Sequence, residues 1–308
     1  MVLKIQFTSP VAGTSFFEFA EDLINEMYSL GKQRVSETYA VALRSYKRFR
    51  NHVDISLDCI DSSELMLYES YMNKRMLTPN TTSFYMRNLR AIYNRAVDQG
   101  LTVQKFPFKH VYTGIEKTKK RALPMRAIKS IKEIDLSGKS SLEFARDMFL
   151  FSFYTRGMSF IDMAYLRKSD VSGGVLKYRR KKTGQKILVK WESCMMEIVE
   201  KHDLPHSKYL LPVIDPHSAL SERKQYIYSS HNINRSLKII GKRLKLDIPL
   251  TMYVSRHSWA SIAKSKNVPL SVISEGMGHD SERTTRIYLT TIDTTAVDKA
   301  NSLILKLI

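Results

Sequence analysis

Little in this sequence speaks for a secreted, membrane-spanning or metal-holding protein. Only two of its 308 residues are cysteine. Cys59 and Cys194 lie far apart and have no CxxC or HxxxH companions, which excludes a disulfide framework and the usual zinc spacings. Both are expected to be buried thiols. No apolar run reaches the roughly 18 residues of a spanning helix, and the opening Met1-Val2-Leu3-Lys4-Ile5-Gln6 lacks the apolar stretch of a signal peptide. A soluble intracellular protein is expected. Acidic residues are scarce beside basic ones, 30 against 49, so the formal charge is +19 and the isoelectric point about 9.8. Such a surface attracts a polyanion, and nucleic acid is the first candidate. Charge alone does not separate ribosomal proteins, nucleases and transcription factors.

What is present is enough apolar material, 43% of the residues, for two ordinary domains. The first hundred residues read as helices. Ser15 and Glu18 have the spacing of a capping box; Phe16, Phe19, Ala20, Leu23 and Met27 recur at helical steps; Gly31 sits where a helix would stop. A second helix is expected from Ser36 through Tyr39, Ala40 and Leu43. Another follows Pro79-Asn80 to Gly100, with Leu89, Ile92, Tyr93 and Ala96 on one side and Arg87, Arg90 and Arg95 on the other. That basic side is either a solvated surface or a face laid against phosphates. Pro107, Gly114 and Pro124 break the periodicity around Lys117, Lys119, Lys120 and Arg121. These residues predict a helical domain over 1–106, a basic linker over 107–124 and a second domain over 125–308. Within the second, Val175 to Arg180 and Ile187 to Trp191 read as a β-hairpin with Lys182-Thr183-Gly184-Gln185 at its tip. The tail from Thr294 to Ile308 reads as an amphipathic helix, with Ala296, Val297, Ala300, Leu303, Ile304 and Leu307 on one stripe.

Three weak signals gain force from their order and spacing: Tyr253-Val254-Ser255-Arg256-His257, then Met277-Gly278-His279, then Thr284-Thr285-Arg286-Ile287-Tyr288. Together they resemble the C-terminal signature of the tyrosine recombinase, or phage integrase, family, in which H-x-x-R-H opens a helix, L-G-H ends another and T-T-x-x-Y places a nucleophile. The resemblance covers the second half of the chain, with a weaker helical likeness in the first. A phosphodiester's charge repels nucleophiles, so attack needs donors that hold its non-bridging oxygens. Arg256 suits this, because a guanidinium forks onto two oxygens and keeps its proton. Tyr288, a poor nucleophile near its ordinary pKa of about 10, needs cationic neighbours, and His279 with the arginines is expected to provide them. Lys182 matches the family's turn lysine, the general acid for the leaving 5′-oxygen. Its neighbours Arg179, Arg180 and Lys181 are expected to contact phosphates. His257 is expected to be an accessory, hydrogen-bonding histidine.

Two positions depart from the family pattern. Tyr253 stands where most members have histidine; its hydroxyl donates a hydrogen bond but shuttles a proton less readily at neutral pH. The segment Gly157 to Val171 aligns with the family's first-arginine block so that Ser159 occupies the arginine position and Asp162 the accessory acid. Serine cannot replace that charge. Arg156, three residues earlier and one turn away if the stretch is helical, is expected to reach into the site instead. This variation resembles the branch of conjugative-transposon integrases and DNA invertases.

The resemblance implies a mainly α fold with a small antiparallel β-sheet: a helical core-binding domain and an α/β tyrosine-recombinase catalytic domain. It implies a 3′-phosphotyrosine intermediate at double-stranded DNA recombination sites, in integration, excision or inversion, without metal or other cofactor. It further implies a homotetramer on DNA that is a monomer in solution, with the tail helix docking on a neighbouring protomer, and a cytoplasmic, nucleoid-associated location. Host or directionality factors remain open. So do two other readings: a non-catalytic DNA-binding protein derived from a recombinase, and a type IB topoisomerase-like enzyme.

Overall fold

The computed structural model describes residues 13–116, 121–279, 281, 282, 284, 285 and 305. The chain divides into two compact units, residues 1–118 and 119–308. Among the described residues, no helix is long and apolar enough to cross a membrane.

The first unit is built of α1 (Phe16–Ser29), α2 (Gln33–Phe49), α3 (Ser62–Lys74) and α4 (Pro79–Asp98). Caps set their starts. The Ser15 hydroxyl accepts the Glu18 amide, and Thr78 caps α4 with Pro79 in its first turn. Gly31, at φ +71°, ends α1 and lets α2 begin directly after Lys32, earlier than the expected Ser36. Helix α3 was not expected. Its buried stripe Leu65, Tyr68 and Met72 is disguised in sequence by the exposed Met66 and Leu67. An aromatic cluster of Phe16, Tyr46, Phe49 and Tyr68 fills the core, with the Tyr46 and Tyr68 rings 5.2 Å apart. Phe108 and Val111 belong to the same core, although they lie inside the stretch expected to be linker. Cys59 is exposed at the end of a short 3-10 turn, and Cys194 in the second unit is partly exposed, so neither is the buried thiol expected.

The second unit contains α5 (Met125–Glu133), α6 (Ser140–Tyr154), α7 (Phe160–Ala164), β1 (Val171–Ser172), β2 (Val175–Arg179), β3 (Lys186–Lys190), α8 (Ser193–Lys201), α9 (Glu222–Arg243), α10 (Met252–Ser265) and α11 (Leu270–Gly276). The strands form one antiparallel sheet in the order β1-β2-β3, with Leu176 opposite Val189 and Tyr178 opposite Ile187. The hairpin matches expectation; the short β1 pairing was not anticipated. Helix α6, with Ala145, Met148, Phe149, Leu150 and Phe151 buried, is apolar on most sides and runs between α8, α9 and α10. It therefore carries the residues just after its C-terminus into the interior.

Candidate active site

Helix α6 stops at Tyr154, and the next residues make the turn on which the site is built. Arg156 and Gly157 are consecutive left-handed residues, at φ +62° and +74°. The Gly157 amide bonds back to the Ser152 carbonyl at 2.7 Å, and the Ser152 hydroxyl closes the turn onto the Met158 carbonyl at 2.8 Å. Gly157 is required sterically: a Cβ there would lie 2.7 Å from the Arg256 Cα. Arg156 and Ser159 thus do not share one helix, as the sequence suggested. Ser159 stands just before the separate short α7, and its hydroxyl donates to Asp162. Arg156 is half-buried, its stem running past Gly276 of α11 beside Trp259.

Arg256 enters this turn from α10 and is buried, 4% exposed. One of its terminal nitrogens donates to the Gly157 carbonyl at 2.7 Å. The other donates to the Met277 carbonyl at 2.7 Å and lies 2.9 Å from His279 Nε2. A guanidinium has no lone pair to offer, so His279 Nε2 is the acceptor and its ring proton sits on Nδ1, which faces Thr285 Oγ1 at 2.7 Å. Burial first, then the charges of Arg256, Arg180 and Lys182, lower the His279 pKa to about 4. His279 is therefore neutral at pH 7, not one of the cations around the tyrosine.

The hairpin supplies the other wall. Strand alternation buries Leu176 and Tyr178 and, one step past β2, Arg180. Arg180 donates to the Gly278 carbonyl, and its Nε lies 3.9 Å from Asp162 Oδ2. It is buried, unlike its neighbours Arg179 and Lys181, as the period-2 pattern of its own strand already indicated. Gly278, at φ +63°, is wedged against Arg180 and Ile187, so the hairpin and the His279 turn are packed together. Tyr178 marks the point of convergence. Burial and then Asp162 push its phenol above the ordinary range, and Arg256, Arg180 and Arg156 oppose the shift.

Lys182 is exposed in the turn, close enough for His279 to feel its charge. Lys181 is committed elsewhere: its amide donates to Asp162 at 2.8 Å and its ammonium lies 3.6 Å above the Tyr165 ring. Arg179 is exposed and donates to the Gly184 carbonyl at 3.1 Å. Tyr253 is exposed at the start of α10, with its ring edge-on to the buried His257 at 4.5 Å between centroids.

The geometry unites Asp162, Arg180, Arg256 and His279, with Lys182 at the rim and the charge of Arg156 felt at Tyr178 beside them. Thr285 joins them although only the tyrosine motif drew notice to it in the sequence. Tyr288 lies outside the described residues, as do Lys117, Lys119, Lys120 and, apart from the exposed Leu305, the tail from Thr294 to Ile308. Arg121 is exposed in the second unit. In the first unit Arg87, Arg90 and Arg95 are exposed on α4, and Arg90 lines a cavity of about 510 Å³ with Phe106, Pro107 and Phe108.

Two family models match the chain: the phage integrase SAM-like domain over residues 15–112 and the phage integrase family over 118–294. Solved structures share the fold at low identity. A lambda integrase tetramer bound to a Holliday junction is 16% identical, covering 90% of this chain and 78% of its own, with a TM-score of 0.66. The Tn1549 transposon integrase in complex with transposon right end DNA is 13% identical over 96% and 99%, TM-score 0.63. The XerH site-specific recombinase on a palindromic difH substrate, a post-cleavage complex, is 19% identical over 87% and 79%, TM-score 0.63. No curated protein matches.

Proposed function

Because the chain belongs to the phage integrase family, the tyrosine recombinases, we propose that it is a site-specific DNA recombinase that cuts and rejoins double-stranded DNA through Tyr288. The observation that carries this reading is that the buried guanidiniums of Arg256 and Arg180 donate to the adjacent carbonyls of Met277 and Gly278, beside His279 and within reach of the charge of Lys182. Two guanidiniums buried side by side favour an anion at their free donors, and a phosphate fits.

In this reading Tyr288 gives up its phenol proton to solvent water as its oxygen attacks the scissile phosphorus. The bond to the 5′-oxygen breaks, Lys182 gives that oxygen its proton, and the DNA is left as a 3′-phosphotyrosine. The 5′-hydroxyl of a partner strand, passing its proton to the now neutral Lys182, then attacks the same phosphorus and releases Tyr288, which regains a proton from water. Each step exchanges one phosphodiester for another, so no external energy source is needed. Arg256 holds a non-bridging oxygen; the Gly157 and Met277 carbonyls fix its plane. Neutral His279 orients that guanidinium rather than supplying charge. Arg156 provides the second guanidinium for the position held by Ser159, and buried Arg180 adds to the same field. Tyr253 offers its hydroxyl to the phosphate. Arg87, Arg90, Arg95, Arg121, Arg179 and the lysines of the linker bind the DNA backbone.

Two duplexes and four cuts call for a homotetramer assembled on DNA from monomers, in line with the tetrameric lambda integrase complex. The tail after Thr294 then docks on a neighbour.

The test is covalent capture on a library of nicked duplexes with randomised cores, from which a cut 5′ fragment diffuses away. Wild type should yield denaturation-resistant adducts and Tyr288→Phe none, with unchanged DNA affinity. Binding without any adduct would identify a non-catalytic DNA-binding protein. Adducts and supercoil relaxation without exchange between paired captured sites would identify a topoisomerase-like enzyme.

A further inference from the structure

We propose that Thr285 is a positioning residue, which by accepting the Nδ1 proton of His279 ties the start of the tyrosine-bearing segment to the guanidinium of Arg256. The proposal rests on the reading of Arg256 and Tyr288 given above.

The two adjacent threonines of the motif have separate jobs. Thr284 is exposed and local: its amide bonds to the Ser281 carbonyl at 3.1 Å and its hydroxyl lies 3.3 Å from the Ser281 hydroxyl. Thr285 is fully buried and faces His279. The direction of that bond is forced. His279 Nε2 takes the Arg256 proton, so the neutral ring carries its hydrogen on Nδ1, and Thr285 Oγ1 must accept it. Protonating both ring nitrogens would aim an N–H at a guanidinium that can only donate.

The backbone on the histidine side is pinned as well. The His279 amide bonds to the Ser274 carbonyl at 3.0 Å, and the Met277 carbonyl receives Arg256. A line of contacts thus runs from the Gly157 turn through Arg256 and His279 to Thr285, three positions before Tyr288 in the sequence. A side chain of the same shape without the hydroxyl keeps the packing but leaves Nδ1–H with nothing to receive it at this contact. The ring then loses one of the bonds that hold its plane. Misplacement of a reacting group by an ångström costs about 100-fold in rate, so a slowing of about 10- to 100-fold is expected.

The experiment compares Thr285→Val and Thr285→Ser in the full chain. Long-range ¹H–¹⁵N NMR of the histidine rings, with His279→Asn to identify the resonance, should show an exchange-protected Nδ1 proton in wild type and T285S that is lost in T285V. Single-turnover adduct formation on captured duplexes at saturating protein should slow about 10- to 100-fold in T285V and recover in T285S, with equal DNA affinity throughout. A wild type lacking the protected proton, or a T285V protein that cuts as fast as wild type, overturns the role of Thr285 alone. If T285V does not fold, the wild-type resonance and the T285S rate decide. A wild type that binds DNA and makes no adduct overturns the recombinase reading instead, and this proposal with it.

Discussion

Replacing Gly157 with alanine tests whether the turn after α6 builds the Arg256 site. Two costs add. Alanine at φ +74° pays the left-handed penalty, about 1–2 kcal/mol. Its methyl must also find room where a Cβ would meet the Arg256 Cα at 2.7 Å and the Arg256 Cγ at 3.0 Å. Those atoms are backbone and the base of a buried side chain, so they cannot swing aside, and overpacking of this kind costs about 1–3 kcal/mol. Gly138 is the internal control, because it has nearly the same φ, +72°, and a Cβ there would meet nothing within 4 Å. Gly138→Ala should therefore cost about 1–2 kcal/mol and Gly157→Ala about 2–5 kcal/mol. Both tryptophans, Trp191 and Trp259, lie in the second unit, so urea unfolding followed by tryptophan fluorescence reports on the relevant half even if the two units melt separately. Gly157→Ala should also slow DNA-adduct formation, since the Gly157 carbonyl that orients Arg256 moves with the turn. Equal destabilisation by the two alanines would refute the close approach, and with it the claim that this glycine sets the position of Arg256.

Two further outcomes concern acid. In the unfolded chain His279 gains a proton near its ordinary pKa of about 6.5, whereas in the fold it does so only at about 4; between these values the unfolded state binds more protons, so stability falls as pH falls, by up to roughly 3 kcal/mol. Urea midpoints from pH 7 to 4 should show a shallower fall for His279→Asn than for wild type, and parallel curves would contradict the buried neutral ring. Burial acts to raise the Asp147 pKa, but bonds from His202, Lys201 and Arg146 outweigh it and hold the carboxylate at about 2. The stability it contributes is complete above the ordinary carboxylate range and disappears as pH drops towards 2, so Asp147→Asn should cost about 1–3 kcal/mol at neutral pH and remove that acid-dependent loss. An unchanged urea midpoint at pH 7 would show that the network does not hold α6 to α8.

By itself the sequence determined the class of the fold and the order of its chemistry. Local rules suffice for those: Ser15 and Thr78-Pro79 start helices, Gly31 stops one, the alternation of β2 and β3 defines a hairpin, and the separation of Arg256, His279 and Tyr288 identifies the family. Helix α3 escaped because exposed Met66 and Leu67 blur its apolar stripe, and a periodicity argument sees hydrophobicity, not exposure. Tertiary structure alone decided the state of the site. Arg156 sits in a left-handed turn after α6 rather than on a helix shared with Ser159, because α6 ends where Gly157 must admit Arg256. Arg180 turns inward, as its strand's alternation allows, because the carbonyl of Gly278 and the carboxylate of Asp162 receive it there. His279 is neutral, with its proton on Nδ1, because Arg256 occupies the other nitrogen and burial disfavours the charge. Charge state and tautomer depend on which groups meet across distant stretches of chain, and no spacing along the sequence encodes that meeting.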